Sequence, residues 1–173
     1  LFRSDGQRIA FSAKTGEAPD PDSKKAKPYR RITSLKYRIN GEGFTYDHRK
    51  HLFVVPADGS AAPVPITEGD WDDSQPAWSP DGARVAFVSA RPAEREFDST
   101  SDIFVVGAGG GAAKLLTNTQ GACSDPSWAP DGNAIAHVHH PTWPSNGTLR
   151  VVELDGGCEL IDPAFDRETG LGA

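Results

Sequence analysis

The sequence predicts an all-β protein built from repeated antiparallel units, and three observations carry that prediction. One turn motif recurs: "WSPDG" (Trp78, Ser79, Pro80, Asp81, Gly82) and "WAPDG" (Trp128, Ala129, Pro130, Asp131, Gly132) each precede an apolar run, and Asp5-Gly6 stands in the same place before "RIAF". Further matches share one ungapped offset of 50 residues: Thr67 with Thr117, Ser74 with Ser124, Pro76 with Pro126, Ala86 with Ala136. A fixed period of that size marks a repeat architecture. Finally, 18 glycines and 14 prolines in 173 residues favour turns over long helices.

Each unit reads as β structure. "QPAW" is a short strand. Pro80-Asp81-Gly82 closes a tight turn, because proline presets φ, aspartate caps through its side chain and glycine tolerates positive φ. "ARVAFVSA" follows as a strand rich in β-branched and aromatic residues. A polar loop, Arg91 to Asp102, leads to a third strand over Ile103–Val106, and "GAGGG" turns the chain into a fourth, "KLLT", ending at Thr117. The third strand recurs as "LFVV" (Leu52–Val55) and "LRVV" (Leu149–Val152).

Four antiparallel strands in roughly 40–50 residues are the footprint of a β-propeller blade. The expected fold is a partial β-propeller of about three to four four-stranded antiparallel blades, with Trp78 and Trp128 packed between blades. Units are expected at 1–33 (with a Pro- and charge-rich insertion over 14–31), 34–67, 68–117 and 118–162, followed by a tail or the start of another blade at 163–173. The second unit is short and lacks an Asp-Gly turn before its strands. Closed propellers use about 4–8 blades, so a longer parent chain or further copies are expected to complete the ring.

Bulk properties exclude several functions. A net charge of −6 argues against nucleic acid, whose phosphates demand clustered Lys and Arg. The one basic run, "SKKAKPYRR" (Ser23 to Arg31), follows the acidic "GEAPDPD", and a solvated linker accounts for the pair. No apolar stretch nears the ~20 residues of a membrane-spanning helix. Two cysteines, Cys123 and Cys158, are too few for a disulfide scaffold. A cytoplasmic protein with free thiols is expected, and a single bridge between the two stays open. The chain has no methionine and starts inside a unit, so its natural N-terminus is expected upstream.

"WSPDG" followed by "VAFVSAR", "SDIFVV", a Gly-rich turn and "LLT" resembles the TolB-like propeller repeat. With "RRITSLKYRINGEGF", "HLFVV" and "ITEGDWDDSQPAWSPDG" added, the chain resembles the N-terminal propeller of acylaminoacyl-peptidases and related dipeptidyl peptidases of the prolyl oligopeptidase superfamily, over about residues 1–160. That resemblance implies a two-part enzyme: a propeller of about seven blades capping an α/β-hydrolase domain with a Ser-Asp-His triad, so that small peptides enter and folded proteins do not. No G-x-S-x-G nucleophile elbow occurs in this chain. No catalytic residue therefore carries over. The partners implied are the hydrolase domain, the remaining blades and peptide substrates in the channel, with self-association through uncovered blade faces. A non-enzymatic TolB-like propeller that binds a protein or peptide is the alternative.

Candidate substrate-facing residues lie in "EGDWDD", where Glu68, Asp70, Asp72 and Asp73 crowd the approach to an inner strand, and at Arg91, which ends "VSAR". Inner strands line a propeller's channel, so acids there would steer a peptide's positive N-terminus. The competing reading is a solvated loop whose aspartates cap turn backbone, with Arg91 anchoring it. "HVHH" places His137 and His139 on one strand face, with His140 beside them. Zinc wants three or four ligands with outer support, and no further converging ligand is evident; strand-end or loop positions are expected for these histidines. Neither an Asp-x-Asp-x-Asp-Gly calcium loop nor a G-x-x-x-x-G-K-[ST] phosphate loop occurs. No metal or cofactor is expected.

Overall fold

The computed structural model describes residues 1–16, 31–40, 43–45, 48–142 and 145–161. Most of the expected 14–31 insertion and the whole 163–173 tail lie outside the described residues. In chain order the strands are β1 (Arg8–Lys14), β2 (Arg38–Ile39), β3 (Gly43–Phe44), β4 (Lys50–Pro56), β5 (Val64–Pro65), β6 (Asp73–Trp78), β7 (Arg84–Ser89), β8 (Asp102–Gly107), β9 (Lys114–Leu115), β10 (Ala122–Trp128), β11 (Ala134–His140), β12 (Thr148–Glu153) and β13 (Cys158–Leu160). They form three antiparallel sheets, β1-β4-β5, β6-β7-β8-β9 and β10-β11-β12-β13, plus the small β2-β3 hairpin. The polar loop after β7 contains a 3-10 turn, Ala93–Glu96.

The expected separation of units 1–33 and 34–67 is corrected by the strand pairing. β1 pairs with β4 from Arg8↔Pro56 to Lys14↔Lys50, so residues from both units share the first sheet. A long segment between β1 and β4 accounts for the apparent short unit without an Asp-Gly turn. The inner edge of this sheet is Phe2, bridged to Ile9. The third sheet, by contrast, carries four strands.

Apolar runs in β7 and β8 are nearly continuous because the second sheet is buried on both faces. Val85, Phe87, Phe104 and Val106 pack toward the first sheet with Ala10, Leu52, Val54 and Ile66. Ala86, Val88, Ile103 and Val105, the alternate residues, pack toward the third sheet with Cys123, Ile135 and Val152. The sheets thus stack side by side in chain order, with one apolar seam between each neighbouring pair. The two repeat tryptophans bridge these seams: Trp78 Nε1 donates to the Leu1 carbonyl at 3.1 Å, and Trp128 Nε1 to the Ala77 carbonyl at 3.0 Å. Both were expected between blades, and each reaches back to the preceding sheet.

The Pro-Asp-Gly turns form as the local chemistry dictates. Asp81 Oδ1 accepts the Ala83 amide at 3.0 Å, and Asp131 Oδ1 the Asn133 amide at 3.0 Å, while Gly82 and Gly132 sit at φ 64° and 73°. The Ser79 hydroxyl, then the Ala83 amide, hold the Asp81 carboxyl below the usual carboxylate range.

Candidate functional site

Strand register sorts each sheet into two ends. Arg84 pairs with Gly107 at the end that carries the Asp-Gly turns; Ser89 pairs with both Asp73 and Asp102 at the other. Asp73 and Arg91 belong to that second end, and Asp70 and Asp72 precede β6 there. Asp70, Asp72, Asp73 and Arg91, four of the five candidates named from the sequence, therefore share one end of the stack, while Trp78, Pro80, Asp81, Gly82 and their partners Trp128, Pro130, Asp131 and Gly132 shape the inner strands' far ends.

The candidates then divide by burial. Asp73 is fully buried, so its expected substrate-facing place is corrected: the start of β6 lies against the first sheet, where His51 of β4 meets it. Its carboxylate meets Arg91 Nη2 at 3.2 Å and His51 Nδ1 at 3.3 Å. Arg91 Nε also donates to Ser89 Oγ at 3.0 Å, and its guanidinium centre lies 4.6 Å from the ring centroids of both Trp71 and Phe104. Packed rings and fixed acceptors hold this arginine in one position.

Asp70 and Asp72 are more open, with 71% and 41% of their side chains exposed. They are not free carboxylates. Arg49 reaches Asp70 at 3.0 Å, Asp72 at 3.4 Å and Glu96 at 3.9 Å, and Arg95 reaches Asp70 at 3.3 Å. Asp72 also accepts the Lys50 amide at 2.8 Å. Glu96 accepts the Ser34 hydroxyl at 2.7 Å; that bond, with the Lys36 and Leu35 amides and Arg49, keeps its carboxyl below the usual range. Lys36 Nζ donates to the carbonyls of Arg95 and Asp98. Acidic and basic side chains from the β1–β4 connection, the β6 approach and the β7–β8 loop thus knit one surface around a cavity of about 90 Å³, walled by Arg49, Trp71, Asp72, Arg95 and Glu96.

Several residues of this end had no part in the sequence-based site. Arg49 directly precedes β4, and Arg95 and Glu96 lie in the polar loop after β7. A bulge in β6 sets Gln75 at φ 52°, and one in β10 sets Asp125 at φ 52°. The two meet across the seam, Gln75 Oε1 accepting the Asp125 amide at 2.9 Å. Their signal was the repeated Ser-x-Pro of Ser74–Pro76 and Ser124–Pro126, where proline removes a ladder donor and invites a bulge. An open cleft of about 490 Å³ runs along these inner strands, lined by Phe2, Gln75, Trp78, Asp125 and Trp128.

His137 departs from its expected strand-end or loop place, lying mid-strand, while His139 and His140 fall at the end of β11. His137 and His139 are buried within β11, and His139 Nε2 contacts the Gln120 carbonyl at 2.7 Å, while His140 Nδ1 contacts the Ser145 carbonyl at 3.1 Å. Among the described residues no cluster of three His, Cys, Asp or Glu side chains is arranged for a metal. Cys123 is buried and Cys158 exposed, both as free thiols, and burial pushes the Cys123 thiol up. No helix of the described residues is long and apolar enough to cross a membrane.

Comparison with known proteins places this arrangement. No family model matches the chain. The uncharacterized peptidase YuxL of Bacillus subtilis (strain 168) is 32% identical over 88 residues, which is 51% of this chain and 12% of that protein. Among solved structures, TolB from Acinetobacter baumannii superposes with a TM-score of 0.60 at 18% identity, covering 96% of this chain and 33% of that one. A puromycin-hydrolyzing peptidase of Mycobacterium tuberculosis gives 0.62 at 17% identity, covering 95% and 23%. The β-propeller domain of the Trilobed protease of Pyrococcus furiosus gives 0.52 at 14% identity, covering 92% and 40%. This chain thus spans less than half the length of each relative. Its three stacked sheets are blades of a β-propeller, the fold shared by TolB proteins and by propellers attached to peptidases.

Proposed function

We propose that this chain is propeller from an acylaminoacyl- or dipeptidyl-peptidase-like serine peptidase, where it gates and sizes peptide substrates for an α/β-hydrolase domain outside it. The observation that carries the reading is the 32% identity over 88 residues to a peptidase. In this reading Asp70 and Asp72, the exposed acids of the charged end, attract the peptide's amino terminus, and Arg49 and Arg95 limit how far each carboxylate swings. Asp73 and Arg91 act beneath them as positioning residues. The partners are the hydrolase domain, the remaining blades and peptide substrates, and the compartment is the cytoplasm.

A TolB-like propeller that binds a protein or peptide without chemistry is the second reading, favoured by the equal superposition on TolB. The parent reading frame separates them. A G-x-S-x-G segment followed by Asp and His is expected downstream, and a parent made of further blades alone would sink the peptidase reading. In such a parent, Asp70→Asn with Asp72→Asn is expected to raise KM for short peptides with free amino termini several-fold, with kcat unchanged. Equal KM values for blocked and free peptides in both proteins would remove the assigned role of these acids.

A further inference from the structure

One position breaks the pattern of the three sheets. In the first, Phe11 pairs with Phe53 across β1 and β4, ring centroids 5.7 Å apart. In the second, Phe87 pairs with Phe104 across β7 and β8 at 5.8 Å. The third sheet places His137 opposite Arg150 in the same register. Ile135, two residues before His137 on the same strand face, and Val152, two residues after Arg150, both belong to the apolar seam with the second sheet. A stacked aromatic pair has been exchanged there for an imidazole and a guanidinium.

Neither group is well satisfied. His137 is 0% exposed, and both its ring nitrogens, like Arg150 Nε, are buried without a hydrogen-bond partner. His139 of the same strand and Arg150 of β12 act on His137, while Asp102 of β8 lies near His139 and Cys123 of β10 sits opposite His139 in the ladder. Asp125 of β10 is held at the bulge by Ser124, and Glu153 of β12 is exposed. Asp102 is the carboxylate nearest to a remedy, and it is already taken by the Thr117 hydroxyl at 2.8 Å and the Thr119 amide at 3.2 Å. We propose that the His137–Arg150 pair makes the seam between the second and third sheets an acid-released joint: a proton on His137 sets two cations side by side in a dry interface and frees the third sheet from the second.

The direction follows from linkage. Burial first, then the charges of His139 and Arg150, push the His137 pKa down to about 4. Its unfolded value is near 6.5, so the neutral ring supports the seam fully above about pH 6.5, and that support is lost as pH falls toward 4. A shift of that size amounts to roughly two orders of magnitude in the closed-to-open ratio. Asp102 runs the other way, its carboxyl raised by burial, so it discards its negative charge early in the same descent.

Amide hydrogen exchange on the chain, corrected for the intrinsic pH dependence of exchange, tests the joint. Between pH 7 and pH 4.5, β10, β11 and β12 are expected to lose protection by tenfold or more relative to β1 and β4. His137→Phe, which restores one ring of the pair that the other two sheets carry while leaving Arg150, and His137→Gln, which keeps polarity without titrating, both remove the titrating group and are expected to abolish that difference. Uniform loss across all three sheets, or an undiminished loss in both variants, would overturn the proposal.

Discussion

Asp73 illustrates how far a residue's role depends on its surroundings. On the chain it is one of several acids in "EGDWDD"; in the fold it is fully buried between Arg91 and His51. Removing one member of a buried ion pair leaves the other charge uncompensated, at about 3–5 kcal/mol. Asp73→Ala is therefore expected to destabilise the chain by roughly 3 kcal/mol in urea unfolding, and adding Arg91→Met should recover part of that loss. An Asp73→Ala midpoint indistinguishable from wild type would refute the anchoring role. Nothing local distinguishes Asp73 from Asp70 or Asp72, since burial arises from the first sheet closing over β6. Arg91 was legible as a loop anchor, yet Trp71 and Phe104, the rings it packs against, come from elements far apart in the chain.

Turns and bulges belong to the element scale, and there the sequence was more informative. Gly132 sits at φ 73° with only open space or ordinary contacts where a Cβ would project, so Gly132→Ala is expected to cost about 1 kcal/mol from the left-handed backbone alone. Gly121 differs. Its φ is 98°, and a Cβ would lie 2.1 Å from the His140 carbonyl oxygen and 2.8 Å from Pro141 backbone. Gly121→Ala should cost several kcal/mol, on the order of overpacking plus strain, and thermal melts of the two variants rank them directly. Equal melting temperatures would mean that the β10 approach is looser than drawn. Pro-Asp-Gly chemistry made the first glycine readable, whereas the second answers to a strand 19 residues further on. The Gln75 and Asp125 bulges lie between these cases, announced by a repeated Ser-x-Pro but completed only by their contact across the seam.

At the scale of the molecule, the stack has two seams and two outer faces. Ile9, Phe11, Phe53 and Val55 of the first sheet occupy the places that Val85, Phe87, Phe104 and Val106 hold in the second, where all four are buried against a neighbouring sheet. In the first sheet they are half-buried, and Phe2 beside them is 63% exposed. An uncovered apolar face of this kind favours association. The chain is expected to self-associate at micromolar concentration in sedimentation equilibrium, and Phe11→Ser with Phe2→Ser should weaken that association tenfold or more. Concentration-independent monomer in the unmutated chain would contradict it.

Strands, turns and the repeat itself were settled by the sequence alone, because period-two apolar runs and Pro-Asp-Gly chemistry act over a few residues and repeat wherever those residues recur. Tertiary structure decided the rest: that β1 finds β4 across an intervening segment, that the acids of one loop are paired by Arg49 and Arg95, and that His137 lies in a dry seam. Those outcomes depend on which surfaces meet. The energy of a buried charge or an unpaired ring nitrogen is set by neighbours that approach only once the sheets have stacked.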